Sequence, residues 1–290
     1  MKKFILILLV VMMIFSLGTT NVFAESDEKK QIEGYDHAPV IGEFRYDSEY
    51  AAKIAAKEQR AKAYYEAKMS GNSKLANDIL NEMKTTYDKS GQNGGNLAPL
   101  ASSERLDIFQ VPQETDFWCG YAAIKSLLDY KDIDKTQSTI ADEVYGQDSS
   151  CPWYLSNGDS RDQFPVPIYL TDEINFVYAP YPYGAAGSTD VEASDIDWRI
   201  ISTIDSDHGL VVCGTSYGNK LNDPSILPGY PAKEIGHWLA IDGYKSDGDE
   251  IWIIDPAKSD EVYFSDDIDA YYSVTTVKLA AFAESKGIVW

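Results

Sequence analysis

The chain has 290 residues and carries 46 acidic side chains against 25 Lys and Arg, a formal charge of −21. An excess of that size repels nucleic acid and anionic membrane surfaces, whose binders present basic patches. The length suffices for one sizeable core plus an extension, and 3 cysteines and 3 histidines without ligand-type spacing argue against a zinc site, so no cofactor is expected.

Residues 1–24 read as a secretory signal peptide. Lys2 and Lys3 start it, residues 4–17 are almost unbroken apolar, and Val22, Phe23 and Ala24 end in a small-residue cleavage site. That run is too short for a comfortable membrane span, and no later stretch is longer. The mature protein is therefore expected to be exported and soluble, with a signal of bacterial, Gram-positive style.

Residues 25–104 differ in character from the C-terminal remainder of the chain. Residues 25–43 are polar. Residues 47–69 are rich in Ala, Lys, Glu and Tyr, and Tyr50, Ile54, Ala61, Tyr65 and Met69 form a stripe that predicts a long amphipathic helix with Lys and Glu on its solvated side. Ser70, Gly71 and Asn72 break it, and residues 73–87 predict a second helix whose apolar face is Leu75, Ile79, Leu80 and Met83. The pair is a helical hairpin that needs another surface to cover its stripe. Residues 90–100, with Asn93, Gly94 and Gly95, form a Gly/Asn-rich linker. The hairpin is either a removable pro-segment or a permanent accessory, and the second is slightly favoured.

From 105 to 290 the pattern is mixed. An extended lead-in over 106–113 is followed by a polar turn and a helix with Cys119 in its first turn, capped by Thr115 or Asp116. A helix is predicted within 136–145, a loop at 151–161, a helical fragment at 171–177, a Pro-Tyr-Gly loop at 179–187 and a helix at 195–205. Strands come next at 210–213, 236–244 and 250–254, the last two joined by an Asp247-Gly248 turn. A short strand at 262–264, a short helix at 266–271 and a strand at 274–279 close an antiparallel sheet. Helices first and sheet last describe an α+β domain of two unequal halves.

Cys119 opens a helix, where the macrodipole favours thiolate over thiol. Of the histidines, His37 lies in the polar extension and His208 at a helix end, a common structural position. His237 begins an apolar strand and lies across the predicted hairpin from Asp255, whose carboxylate can accept an imidazole N–H. Cysteine, histidine and carboxylate together are what nucleophilic cysteine catalysis requires.

Three blocks carry a family resemblance: V-P-Q six residues before the helix-opening cysteine, G-H-W-L-A-I-D-G-Y, and I-W-I-I-D-P. They resemble the papain-like cysteine peptidases, and more narrowly the stand-alone relatives of the double-glycine, bacteriocin-leader peptidases. The resemblance implies a papain-like fold with the nucleophile on the helical half and His/Asp on the β half. It implies Cys119 as nucleophile, His237 as general acid/base, Asp255 as the residue orienting it, and Gln113 as the side-chain donor of an oxyanion hole. Tyr121 departs from the family pattern, which usually has proline there, and this puts the first-turn geometry and groove shape in question.

The expectation is an exported cysteine peptidase acting on peptide or protein substrates, cell-wall peptides among them. Two other classes stay open: a different acyl-transfer enzyme of the same fold, such as a cell-wall peptide amidase or transglutaminase-like cross-linker, and a non-catalytic module. The module would recognise its partner through aromatic loops around Trp153-Tyr154 and 178–183. Cys151 and Cys213 either form a disulfide, as exported proteins permit, or stay reduced, with Cys213 a core residue.

Overall fold

The computed structural model describes residues 48–87, 101–146, 149–156, 162–182, 191–217 and 223–290, all within one compact unit that spans 39–290. The signal segment, His37 and the linker with Asn93, Gly94 and Gly95 fall outside the described residues. Among those described, no helix is long and apolar enough to cross a membrane.

The architecture is α+β. Helices α1 (Ser48–Met69) and α2 (Ser73–Tyr87) form the expected hairpin, and then come β1 (Glu104–Arg105), α3 (Cys119–Tyr130) and α4 (Gln137–Val144). The hairpin β2 (Leu155–Ser156) and β3 (Asp162–Gln163) leads to α5 (Pro165–Ile174), β4 (Pro180–Tyr181) and α6 (Ala193–Asp205). The last part comprises β5 (Leu210–Tyr217), β6 (Glu234–Lys245), β7 (Glu250–Ile254), β8 (Tyr271–Thr275), α7 (Thr276–Ala283) and β9 (Gly287–Val289). One antiparallel sheet runs β4-β9-β5-β6-β7-β8, with β1 added beside β6. The central strands β5 and β6 are buried without a break from Leu210 to Ser216 and from His237 to Tyr244, both faces being covered. Helix α3 packs on β6 and α7 on β5.

Several expectations need correction. Helix α3 starts at Cys119, but neither Thr115 nor Asp116 caps it. Trp118 occupies the cap position without a side-chain bond. The fragment predicted at 171–177 is the end of α5, which begins at Pro165 and stops at a left-handed Asn175. Proline at the first helical position loses no hydrogen bond, so Pro165 marks the start of the helix. The loop at 151–161 contains β2, and the strand expected at 274–279 is the end of β8 followed by α7. The strand expected at 262–264 is turn, and Ser265–Asp267 forms the short 3-10 turn before β8.

The hairpin's buried stripe also differs. Tyr50, Ile54, Lys57, Ala61, Tyr64 and Lys68 face inward, Tyr65 is half-buried and Met69 is exposed; on α2, Ala76, Leu80 and Met83 are buried while Leu75 is exposed. Two lysines expected on the solvated side thus point into the core, because distant residues supply their partners. Lys57 Nζ donates to Val177 O at 2.7 Å and lies over the rings of Phe176 and Trp290 at 4.3 and 4.2 Å. Burial, and after it the charge of Arg199, pulls the Lys57 ammonium well below its ordinary pKa. Lys68 pairs with Asp205 at 2.7 Å and Arg199 with Glu58 at 2.5 Å. Hairpin and sheet domain share one hydrophobic core.

Candidate active site

The lead-in before Cys119 is irregular backbone stitched to three neighbours. Val111 N–H donates to Ser126 Oγ at 3.1 Å, tying it to α3. Gln137 of α4 accepts from Glu114 N at 3.1 Å and donates to Pro112 O at 2.7 Å. Toward the sheet, Gln113 N donates to Pro256 O at 3.0 Å, and Gln113 O accepts from Ser259 Oγ at 2.6 Å. Gln110 Nε2 donates to Asp255 O and Lys258 O, both at 3.1 Å. The backbone at Gln113 and the loop carrying Asp255 are therefore one piece.

Cys119 is the first residue of α3, with its sulfur buried at the rim of the core. A backbone N–H at that position has no intrahelical acceptor. Gly120 is required by close packing: a Cβ there would lie 2.3 Å from Cys151 Cβ and 3.0 Å from Trp238 Cδ1. Tyr121, the departure from the family pattern, is fully buried, with its hydroxyl 3.3 Å from Ser149 Oγ and its ring edge-on to Trp118 at 6.0 Å. It belongs to the core beneath the helix start.

His237 enters from β6, paired with Gly214 of β5. Its Nε2 is 2.9 Å from Asp255 Oδ1, and Cys119 lies near enough to act on the charge of its ring. Burial works against a charged imidazole, but the negative charges of Cys119 and Asp255 and their hydrogen bonds outweigh it, pushing His237 up to about 10. Asp255 is fully buried. Beyond His237, its Oδ1 accepts from Ala257 N at 2.9 Å, and its Oδ2 accepts from Tyr230 and Tyr272 hydroxyls at 2.9 Å each.

The fold thus brings Cys119 within electrostatic reach of the bonded His237–Asp255 pair, with the Gln113 backbone fastened to Pro256 next to Asp255. The Gln113 amide is buried, and its Nε2 donates to Thr115 O at 2.6 Å. That contact fixes the amide's orientation, since an oxygen there would repel the carbonyl, and it leaves the second Nε2 hydrogen unused by it. Gln113 Oε1 and Trp118 Nε1 are buried without a partner among the described residues.

The remaining candidates separate cleanly. His208 is buried, stacked on Phe176 at 3.8 Å, with Nδ1 2.9 Å from Ser206 O; burial pulls its pKa well down and keeps it neutral. Cys151 and Cys213 are both free thiols, so no disulfide joins them; burial pushes both thiols up. Trp153 and Tyr178 are buried, Trp153 against Trp238 at 5.9 Å, so these two rings are core rather than exposed recognition surface, while Tyr154 and Tyr181 are half-buried. Among the described residues, no group of His, Cys, Asp and Glu could hold a metal. Gln110, Ser126, Gln137, Tyr230 and Tyr272 have no signal in the sequence. Each is a common polar or aromatic residue without a local pattern, and its partner lies far away in the chain.

The Peptidase_C39 like family matches residues 105–278. The chain belongs to this family of papain-like cysteine peptidases. Membership points to cysteine peptidase chemistry and to the helix-plus-antiparallel-sheet fold described above. No curated protein matches the sequence. The match begins at Arg105, so the α1–α2 hairpin lies outside the span common to this peptidase family.

Proposed function

We propose that the protein is an exported cysteine peptidase that hydrolyses peptide bonds through a Cys119–His237–Asp255 triad with Gln113 as oxyanion donor. The observation that carries this reading is the hydrogen-bonded His237–Asp255 pair with Cys119, at a helix start, close enough to act on the imidazole. Export is supported by the signal-like residues 1–24.

In this mechanism His237 holds the proton that Cys119 gives up, and the raised imidazole favours that ion pair. The thiolate attacks the substrate carbonyl carbon, forming a C–S bond and an oxyanion. The second hydrogen of Gln113 Nε2 and the Cys119 N–H are the donors for that oxygen. Collapse of the intermediate breaks the C–N bond as His237 protonates the leaving amine. A water, deprotonated by His237, then attacks the thioester, and the C–S bond breaks to return the thiolate. Asp255 keeps the imidazole oriented throughout.

The test is turnover of a peptide library, with purified cell-wall peptides as a second arm, by the mature chain and its Cys119→Ala variant. Peptide cleavage lost by at least about a thousandfold in the variant, at unchanged folding, is expected. Equal turnover by the two proteins sinks the assignment. Cleavage confined to the cell-wall arm would make the enzyme an amidase of the same mechanism.

A further inference from the structure

Asp255 is held more tightly than the orientation of one histidine requires. A carboxylate rotates easily about its last torsion, which has a broad, two-fold profile. Here Oδ1 takes His237 Nε2 and Ala257 N, each at 2.9 Å. Oδ2 takes two phenolic hydroxyls, also at 2.9 Å each. The phenols come from separate elements. Tyr272 lies on β8 opposite Ile253, whereas Tyr230 sits in the loop before β6.

That loop is shaped to deliver Tyr230. Gly229 has φ +76°, and a Cβ on it would lie 2.0 Å from Asp267 O, so the loop presses against the segment leading to β8. The Tyr230 ring is buried 5.7 Å from the His237 ring and 5.0 Å from Phe264. It therefore covers the His237–Asp255 bond while its hydroxyl reaches the far carboxylate oxygen. Burial, and then the charge of Asp255, holds both phenols in the protonated, donating form.

We propose that Tyr230 and Tyr272 are positioning residues that lock Asp255 in the one rotation presenting Oδ1 to His237, and so set how firmly His237 keeps the Cys119 proton. The proposal rests on the Cys119–His237 pairing, not on the identity of the substrate. Among the described residues, the titratable groups around the pair are Asp255, Tyr230, Tyr272, Cys151 and Cys213. With either phenol gone, Oδ2 loses a donor and the carboxylate gains freedom to turn away. The imidazolium is then less stabilised, so His237 gives up its proton at lower pH.

Iodoacetamide alkylation of Cys119 against pH, read by mass spectrometry of the Cys119 peptide, tests this in the full chain without any substrate. In Tyr230→Phe and Tyr272→Phe the alkaline limb of alkylation, where His237 loses its proton, should move to lower pH, and in the double variant by roughly one unit. Phenylalanine retains the ring packing. A melting curve on each variant separates positioning from a merely structural role, which would lower the melting temperature and leave the limb in place. If the double variant does not fold, the single variants decide the matter. Folded variants with the wild-type limb overturn the proposal. A shifted limb in a protein that cleaves no peptide would leave this assignment standing while removing the peptidase reading.

Discussion

Asp205 accepts from Tyr64 at 2.5 Å, Tyr244 at 2.7 Å and Lys68 at 2.7 Å. Asp255 accepts from Tyr230, Tyr272 and His237, all at 2.9 Å. Each is a carboxylate cradled by two phenols and one nitrogen base, yet the two regions do different work. At Asp205 the third partner is a lysine of α1, and the network fastens the hairpin to α6 and β6. At Asp255 it is a histidine, which even when raised to about 10 can pass its proton on, and beyond it stands a thiol. The carboxylate supplies rigidity in both places. Chemistry arises only where the cation it holds can give up its proton to something useful.

The contrast can be broken by substitution. Asp205→Ala leaves Lys68 buried without its counter-ion and should cost about 3–5 kcal/mol in denaturant unfolding, while the pH dependence of Cys119 alkylation stays unchanged. A displaced alkylation limb in that variant would mean the two networks are coupled. Gln113→Ala acts on the other side of the comparison. Turnover should fall about a hundredfold or more with Cys119 alkylation unaffected, because only the oxyanion donor is lost. Asp255→Asn exchanges a charge-assisted bond for a neutral one, and steady-state kinetics should show a loss of about tenfold. A loss as large as that of Cys119→Ala would show that charge at Asp255, rather than orientation, is what His237 needs.

A last, smaller effect concerns pH. His237 rises from its ordinary 6.5 to about 10 in the folded protein, so the folded state binds its proton more tightly than the unfolded chain. Its contribution to stability is complete below about 6.5 and is lost as the pH rises through about 10. Denaturant midpoints of the wild type and His237→Ala should converge across that window. Parallel curves would contradict the raised imidazole.

The same contrast governs how much is legible in the sequence. Cys119, His237, Asp255 and Gln113 stand in short blocks with local signals: a helix start, an apolar strand, a proline stop. Strands β6 and β7 are legible for the same reason, since a run of apolar residues with an Asp-Gly turn declares itself. Tyr230 and Tyr272 are not, because a tyrosine that hydrogen-bonds a carboxylate looks in sequence like one that fills a core. Lys57 and Lys68 go to solvent by the ordinary rule for lysine. Only the carbonyl of Val177 and the carboxylate of Asp205, contributed from far along the chain, reverse it. Helix α5 begins six residues before the fragment expected at 171–177, with Pro165 in its first turn.

The hairpin's anchors have a consequence for how the chain reaches this structure. Lys57 bonds across 120 residues, Tyr64 across 141 and Lys68 across 176. A chain emerging from its N-terminus makes α1 first, but the groups that receive its buried lysines arrive only when most of the sequence has been made. Such contacts close large loops before they stabilise anything, which slows folding and places docking of the hairpin late. Until then α1 must wait with an apolar stripe and two lysines uncovered, and those charges help to keep the waiting segment in solution.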